Sequence, residues 1–273
     1  MIQIFVDSGS SIKQEEKGLY NVEILPLKIL LNDREYLDGV DLSMQEFYKA
    51  LIEDGQFPKT SLPSLEEAEK RVKAYIEKGD EVLIITISSG ISGTHNALKM
   101  LFKDEPKVRV IDSKSAVGGM RILAQEANKY RAESLDFVEE KLNAIIPRIK
   151  ILAVPETLDY LHKGGRLSRA SWAAGTLLKI KPIISLSDTV KVAGKVIGLK
   201  RAMSFILKEL ENCDTDYAIV PSYTYATENL DVMISQTAEK YCKIMTEKDD
   251  IDPAIACHWG PNAFGYIFVE KEK

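Results

Sequence analysis

Small hydroxyl side chains cluster in residues 87–94, "ISSGISGT", directly after the apolar run "EVLIIT". Serines at a strand end can supply a nucleophile, line a phosphate-binding loop, or donate hydrogen bonds to another anion. A nucleophile elbow requires G-x-S-x-G on a strand-to-helix turn, but Thr94 stands where the last glycine belongs. A nucleotide P-loop requires G-x-x-x-x-G-K-[ST], which the sequence lacks. The pattern therefore favours a polar rim that holds a different anion.

Two further strand-like segments end in the same way, at residues 5–11, "FVDSGSS", and 110–116, "VIDSKSA". In open parallel sheets, ligands bind outside the carboxyl ends of the strands. Each loop also leads towards a helix N-terminus, where free N–H groups and the helix dipole favour an anion. Asp7 and Asp112 are interpreted as caps of these loops and not as catalytic acids or bases. Together the loops predict one anion site at one edge of a sheet.

The segment 59–64, "KTSLPS", supplies two more hydroxyl groups. Ser64 is predicted to be the N-cap of the next helix, so its role is structural. Thr60 and Ser61 are not needed as caps, and the proline at position 63 keeps this stretch extended. Their side chains are therefore free to face a ligand.

Two other polar residues adjoin glycine in ways that suggest close contact with a ligand or partner. Arg166 follows two glycines in "GGRLSRA". His258 is predicted to end an apolar strand, just before a turn at residues 260–261. The three histidines and three cysteines are otherwise dispersed along the chain, a distribution that predicts no metal site.

The formal net charge of −5 arises from 36 basic and 41 acidic residues and argues against general nucleic-acid binding. The segment from residue 162 to residue 201 is different, because its nine basic residues and single acid give a local charge of +8. Such asymmetry predicts a face for an anionic group or an acidic partner. The basic residues are Lys163, Arg166, Arg169, Lys179, Lys181, Lys191, Lys195, Lys200 and Arg201.

Strands alternate with helices in the first half of the chain, which predicts a doubly wound parallel sheet. Ser43 and Ser64 begin two of the helices as N-caps of capping boxes. The second half is predicted to be a mixed α/β domain that contains a helix over residues 166–178 and an antiparallel strand pair over residues 180–196. It is predicted to close with strands at "KIMTEK" and "AIACHWGPNAFGYIFVE". We place the domain boundary near residue 150, giving domains of residues 1–150 and 151–273.

The N-terminal sequence does not read as a secretory signal, and no apolar run approaches the roughly 20 residues of a membrane span. Three cysteines without a C-x-x-C spacing argue against a disulfide framework. We therefore expect a cytoplasmic protein without integral membrane association.

Seven motifs occur together and in order over nearly the whole chain: "VDSGSS", "TSLPS", "ISSGISGT", "VIDSKSAVGG", "LDYLHKGGRLS", "LKIKPI" and "HWGPNAFG". By this ordered set the chain resembles the DegV family, the fatty acid-binding subunits of bacterial fatty acid kinases. The resemblance implies two α/β domains with one long-chain fatty acid in a tunnel between them. A separate ATP-binding kinase subunit would phosphorylate the fatty acid, and the acyl phosphate would feed phospholipid synthesis. The chain would then be no enzyme by itself and would need no cofactor.

The resemblance also implies roles for individual residues. The fatty acid carboxylate would be bound by Thr60, Ser61, Ser92 and His258, with Ser89 and Thr94 in support. Arg166 and Arg201 would dock the kinase or contact the phosphoryl group. The chain departs from the family at the ending that is usually similar to "HTGPGA" and is here "HWGPNA", with the bulkier Trp259.

Two alternatives to the fatty acid carrier follow from the same residues. One is a serine-type lipid hydrolase or thioesterase that uses Ser92 with His258. The other is a regulatory protein whose basic segment, including Arg166, docks an acidic partner.

Overall fold

The computed structural model describes residues 1–175 and 180–272. The strands are β1 (Ile2–Asp7), β2 (Glu23–Leu25), β3 (Lys28–Leu31), β4 (Arg34–Leu37), β5 (Lys59–Ser61), β6 (Glu81–Thr86), β7 (Val108–Asp112), β8 (Ile149–Val154), β9 (Ile180–Ser187), β10 (Thr189–Ile197), β11 (Val220–Tyr223), β12 (Asp249–Asp250) and β13 (Phe264–Val269). The helices are α1 (Lys17–Tyr20), α2 (Met44–Tyr48), α3 (Leu65–Ile76), α4 (Thr94–Leu101), α5 (Gly118–Lys129), α6 (Leu135–Ile145), α7 (Asp159–Lys163), α8 (Arg169–Gly175), α9 (Leu199–Leu210), α10 (Glu228–Tyr241) and α11 (Pro253–Trp259).

The first half forms the predicted parallel sheet, with strand order β2-β1-β6-β7. Its central strands β1 and β6 are mostly apolar because both of their faces are covered. Val82 and Ile84 of β6 pack towards α3 and α4, whereas Leu83 and Ile85 pack on the opposite side with α5 and α6. This alternation follows from the two-residue period of a strand and makes the sheet doubly wound.

Two other sheets complete the fold. A six-stranded mixed sheet has the order β10-β9-β8-β13-β11-β12, and a small antiparallel sheet has the order β4-β3-β5. The proline at position 26 separates β2 from β3, so that the two strands enter different sheets. Helix α5 packs on β1 and β6 of the parallel sheet and on β8 and β13 of the mixed sheet. The largest apolar core therefore contains residues from both halves of the chain.

Several local predictions are confirmed. Ser43 accepts a hydrogen bond from the backbone N–H of Glu46 as the N-cap of α2, and Ser64 caps α3 in the same way. The predicted antiparallel pair forms the hairpin of β9 and β10, which turns at Asp188, within the "SDT" of residues 187–189 that predicts a turn. The helix predicted over residues 166–178 is present in part as α8, which begins only at Arg169, and residues 176–179, with Lys179, lie outside the described residues.

Two local predictions were wrong, and one predicted helix changes type along its length. The helix begun by Ser43 is present as an α-helix to Tyr48 and continues as a π-helix over Lys49–Glu53. Residues 243–248, "KIMTEK", form a turn with a single bridge from Met245 to Ile219 instead of a strand. His258 lies on helix α11 and not at the end of a strand, because the proline at position 253 starts a helix at its first turn.

Candidate functional site

A cavity of about 280 Å³ opens where the polar loops of the first half meet helix α11 and the β9–β10 hairpin. Thr60, Ser92, Arg166 and His258 form its polar part. Most of the remaining lining is aliphatic, with side chains from both halves of the chain: Leu27, Leu62, Ile87, Ile91, Ala116, Leu161, Leu186, Val190, Ala254 and Ile255. A cavity that is apolar except at one rim suits an amphipathic ligand with a small polar head.

Thr60 and His258 form one hydrogen-bonded pair at this rim. Thr60 lies on β5, which pairs with β3, and α11 packs against β3. This arrangement brings Thr60 Oγ1 within 3.0 Å of His258 Nε2, although the residues are 198 positions apart. Ser61 also lines the cavity but is exposed. With Ser92, the cavity lining thus contains all four residues predicted to bind the carboxylate.

The imidazole of His258 is neutral at physiological pH. Burial, and next the nearby positive charge of Arg166, lower the pKa of His258 to about 3. Its Nδ1 is buried without a hydrogen-bond partner. An unpaired buried N–H is rarer than an unpaired acceptor, so we assign the proton to Nε2, which donates to Thr60 Oγ1. The hydroxyl proton of Thr60 is then free to donate into the cavity.

Ser92 and Thr94 form a second hydroxyl pair. A turn in which the backbone N–H of Ser92 donates to the Ser88 carbonyl at 3.1 Å sets the position of Ser92. Ser92 Oγ lies 2.9 Å from Thr94 Oγ1, and Thr94 is fully buried at the start of α4. Thr94 therefore supports Ser92, which faces the cavity. The partner of Ser92 is Thr94 and that of His258 is Thr60, an arrangement that gives no support to a Ser–His hydrolase.

Arg166 connects the two halves of the chain beside the cavity. Its Nε donates to the Ile91 carbonyl at 3.0 Å, and its Nη1 donates to the Gly164 carbonyl at 2.5 Å. A guanidinium has five N–H donors, so these two bonds leave others for a ligand. Arg166 thus both holds the loop of Ile91 in place and lines the cavity.

Ser89 lies outside the cavity lining, in a polar cluster that anchors the β9–β10 hairpin. Its Oγ accepts a hydrogen bond from Lys114 Nζ at 3.2 Å, and Lys114 Nζ also lies 3.0 Å from Asp188 Oδ1 at the hairpin tip. Ser88 Oγ donates to the Asp188 carbonyl at 2.6 Å. A Cβ on Gly90 would approach this carbonyl to 2.4 Å, so only glycine allows the hairpin tip so close.

Part of the predicted basic segment is exposed on the hairpin and on α9. Lys191 and Lys195 are exposed on β10, on opposite faces because a bulge lies between Val192 and Gly194, and Arg201 is exposed on α9. Arg201 is not among the residues that line the cavity. The structure therefore places the two predicted docking arginines differently, with Arg166 at the cavity and Arg201 on the outer surface.

Sequence reasoning missed several residues of the site. Leu186 and Val190 of the hairpin cover the cavity, and Trp259 lines it next to His258. Gly164 approaches His258 so closely that a Cβ there would lie 2.2 Å from Nδ1. The two glycines before Arg166 indicated a close approach of the backbone to another group, but no local sequence pattern identified His258 as that group.

Asp7 and Asp112 cap their loops as predicted. Asp7 accepts hydrogen bonds from the backbone N–H groups of Gly9 at 2.9 Å and Ile87 at 2.7 Å. Asp112 accepts from the N–H groups of Ser89 and Lys114. Asp7 thus connects the polar loop of residues 5–11 with that of residues 87–94. Burial raises the pKa of its carboxyl to about 7, although both backbone donors act in the opposite direction.

We expect the stability of the wild-type protein to fall, relative to an Asp7→Asn variant, as the pH rises from about 4 to about 7. In this window the folded protein holds a proton at Asp7 that the unfolded chain has released, so the stabilisation present at low pH is lost as the pH passes the folded pKa. Thermal melts across this range measure the effect, with Asp104→Asn at an exposed position as the control. Parallel pH dependence in all three proteins would contradict the prediction.

A metal-binding group of side chains and a membrane-spanning helix are both absent from the described residues. No group of three or more histidine, cysteine, aspartate or glutamate side chains in residues 1–175 and 180–272 is placed to hold a metal ion. In the same part of the chain, no helix combines the length and apolar character needed to cross a membrane.

Comparisons with known proteins agree with the fold. Residues 1–271 match a family model described as an uncharacterised protein of the DegV family. A DegV domain-containing protein of Caldanaerobacter subterraneus is 31% identical, over 99% of both chains. The structure of a fatty acid-binding DegV family protein from Thermus thermophilus has a TM-score of 0.86 at 26% sequence identity. The structure of a stearic acid-binding protein from Eubacterium ventriosum has a TM-score of 0.83 at 25% sequence identity. Each alignment covers 99% of both chains. These similarities confirm the predicted fold class.

Proposed function

Because the chain belongs to the DegV family, we propose that it binds one long-chain fatty acid in the cavity. The carboxylate lies at the rim of Thr60, Ser61, Ser92 and His258, and the acyl chain lies among the aliphatic side chains. The observation that carries this proposal is the set of hydroxyl pairs at one end of an otherwise apolar cavity. The fatty acid-binding relatives of Thermus thermophilus and Eubacterium ventriosum support it.

The energetics of the cavity suit a fatty acid. A carboxylate taken out of water must regain its hydrogen bonds. The hydroxyl of Thr60 can provide one, and that of Ser92 can provide another when Thr94 Oγ1 is the donor in their pair. Each buried methylene contributes about 0.8 kcal/mol, so the acyl chain dominates the gross affinity. Chain ordering on binding offsets part of that gain.

The finer form of the proposal makes the chain a substrate-presenting subunit and not an enzyme by itself. Hydroxyl donors and a neutral imidazole hold a carboxylate without neutralising it, so its oxygen stays nucleophilic towards ATP. A separate ATP-dependent kinase subunit would transfer the phosphoryl group, and the acyl phosphate would feed phospholipid synthesis. The exposed basic side chains on β10 and α9, those of Lys191, Lys195 and Arg201, support docking of such a partner.

Fatty acid binding is tested by extracting the purified protein with organic solvent and identifying the lipid by mass spectrometry. We expect about one fatty acid per chain. The Ser92→Ala variant should bind fatty acid about 10- to 150-fold more weakly and retain correspondingly less, because one hydrogen bond to a charged group contributes about 1.5–3 kcal/mol. Ser235→Ala, on the outer face of α10, is the matched control. Wild-type protein that stays free of lipid after incubation with fatty acid would rule the proposal out.

A further inference from the structure

A second, narrower cavity continues from the first towards the interior of the mixed sheet. Its volume is about 20 Å³, room for no more than about one water molecule. It is lined mainly by apolar residues, among them Val117, Ile151, Phe264 and Ile267. Three residues line both cavities and so mark their junction: Ala116, Leu186 and Trp259.

The size of the first cavity limits how much acyl chain it can hold. At about 30 Å³ for a water-sized group, 280 Å³ accommodates roughly nine such groups. A fatty acid of about twice that length must therefore extend past the junction. The apolar lining continues from the junction into the second cavity. The second cavity must widen before methylene groups can enter it.

Trp259 is the residue whose side chain can provide this space. It is the largest of the three junction residues and is 8% exposed. Leu186 is held in β9 between its neighbours in β8 and β10, and Ala116 has little volume to remove. Trp259 also directly follows His258 in helix α11, so its position relative to the polar rim is fixed by the helix.

We propose that Trp259 determines the acyl-chain length selectivity of this protein by separating the two cavities. This inference rests on the proposed fatty acid binding. Chains that fit the first cavity gain affinity with every added carbon. Longer chains must displace the indole of Trp259, so each carbon beyond the junction adds less affinity.

The test is isothermal titration of delipidated protein with saturated fatty acids of about 8 to about 18 carbons. For wild type, we expect a gain of roughly fourfold in affinity per methylene up to about ten carbons, followed by a much shallower rise. Trp259→Ala and Trp259→Leu should move this break to longer chains. Trp172→Phe is the matched control, because Trp172 stacks on His162 and is not among the cavity-lining residues.

Trp259 fluorescence gives an independent readout, since the chain has only two tryptophans and Trp172→Phe leaves one of them. We expect acids longer than the break to change its emission more than shorter acids do. If wild type and both Trp259 variants bind with the same length profile, the role of Trp259 is refuted while fatty acid binding stands. If wild type binds no acid of any length, the proposed function itself fails. Should Trp259→Ala not melt cooperatively, Trp259→Leu decides the outcome.

Discussion

Replacing Gly164 with alanine is expected to weaken fatty acid binding by about 10- to 150-fold while changing the melting temperature little. The backbone at Gly164 has a φ of −71°, which alanine adopts freely. Its new Cβ would lie 2.2 Å from His258 Nδ1, so the imidazole must move away from Thr60. The predicted loss corresponds to one hydrogen bond to a charged group, about 1.5–3 kcal/mol. Titration with fatty acid and a thermal melt measure the two effects.

The neighbouring glycine provides the control for this substitution. Gly165 has a φ of +75° and open space where a Cβ would stand, so Gly165→Ala strains the backbone but leaves His258 in place. We expect this variant to lose stability and to retain fatty acid binding. Equal affinity of Gly164→Ala and wild type would show that the position of His258 does not matter for the ligand.

Arg166 and Arg201 are expected to affect acyl phosphate formation in different ways. Arg166→Lys removes the planar fork beside the cavity and should lower kcat with the kinase subunit by roughly 1,000-fold or more, the range known for transition-state arginines. Arg201→Gln removes one exposed charge and should raise the KM for the kinase subunit several-fold without changing kcat. Steady-state kinetics at varied kinase concentration separate the two effects.

Fatty acid retention distinguishes these roles from a purely structural one. Arg166 also holds the Ile91 and Gly164 carbonyls, so a structural role would reduce fatty acid retention as much as phosphoryl transfer. We expect the loss in transfer to exceed the loss in retention. If both fall by the same factor in Arg166→Lys, Arg166 acts only by positioning the loops. An unchanged KM in Arg201→Gln would remove Arg201 from the docking surface.

Features encoded over a few residues could be predicted from the sequence. The apolar run of β6 followed by "SSGIS" identified a buried strand with a polar loop, and Ser92 lies in the cavity lining as this pattern suggested. Ser43 and Ser64 identified helix starts because N-cap chemistry is local. Asp7 and Asp112 were recognised as caps for the same reason.

Features that depend on distant contacts could not be predicted. The run "AIAC" before His258 is too short for its period to separate a strand from a buried helix. The neighbours of His258 come from residues about 100 and 200 positions earlier, Gly164 and Thr60, and only the packing of α11 on β3 and α7 brings them together. The supporting role of Ser89 was implied by the family resemblance, whereas Ser89 Oγ contacts Lys114 and lies outside the cavity lining.

The anchoring of the hairpin tip has a consequence for how partner and ligand influence each other. The loop of residues 87–94 contacts Asp188 through Ser88 at one end and presents Ser92 at the other. The hairpin that it anchors also carries the basic residues Lys191 and Lys195. A partner that pulls the hairpin away therefore loosens the loop and lowers the affinity for the acid. Linkage is reciprocal, so the bound acid lowers the affinity of such a partner by the same factor. A partner that instead favours the hairpin anchored through Ser88 and Asp188 binds the loaded protein more tightly.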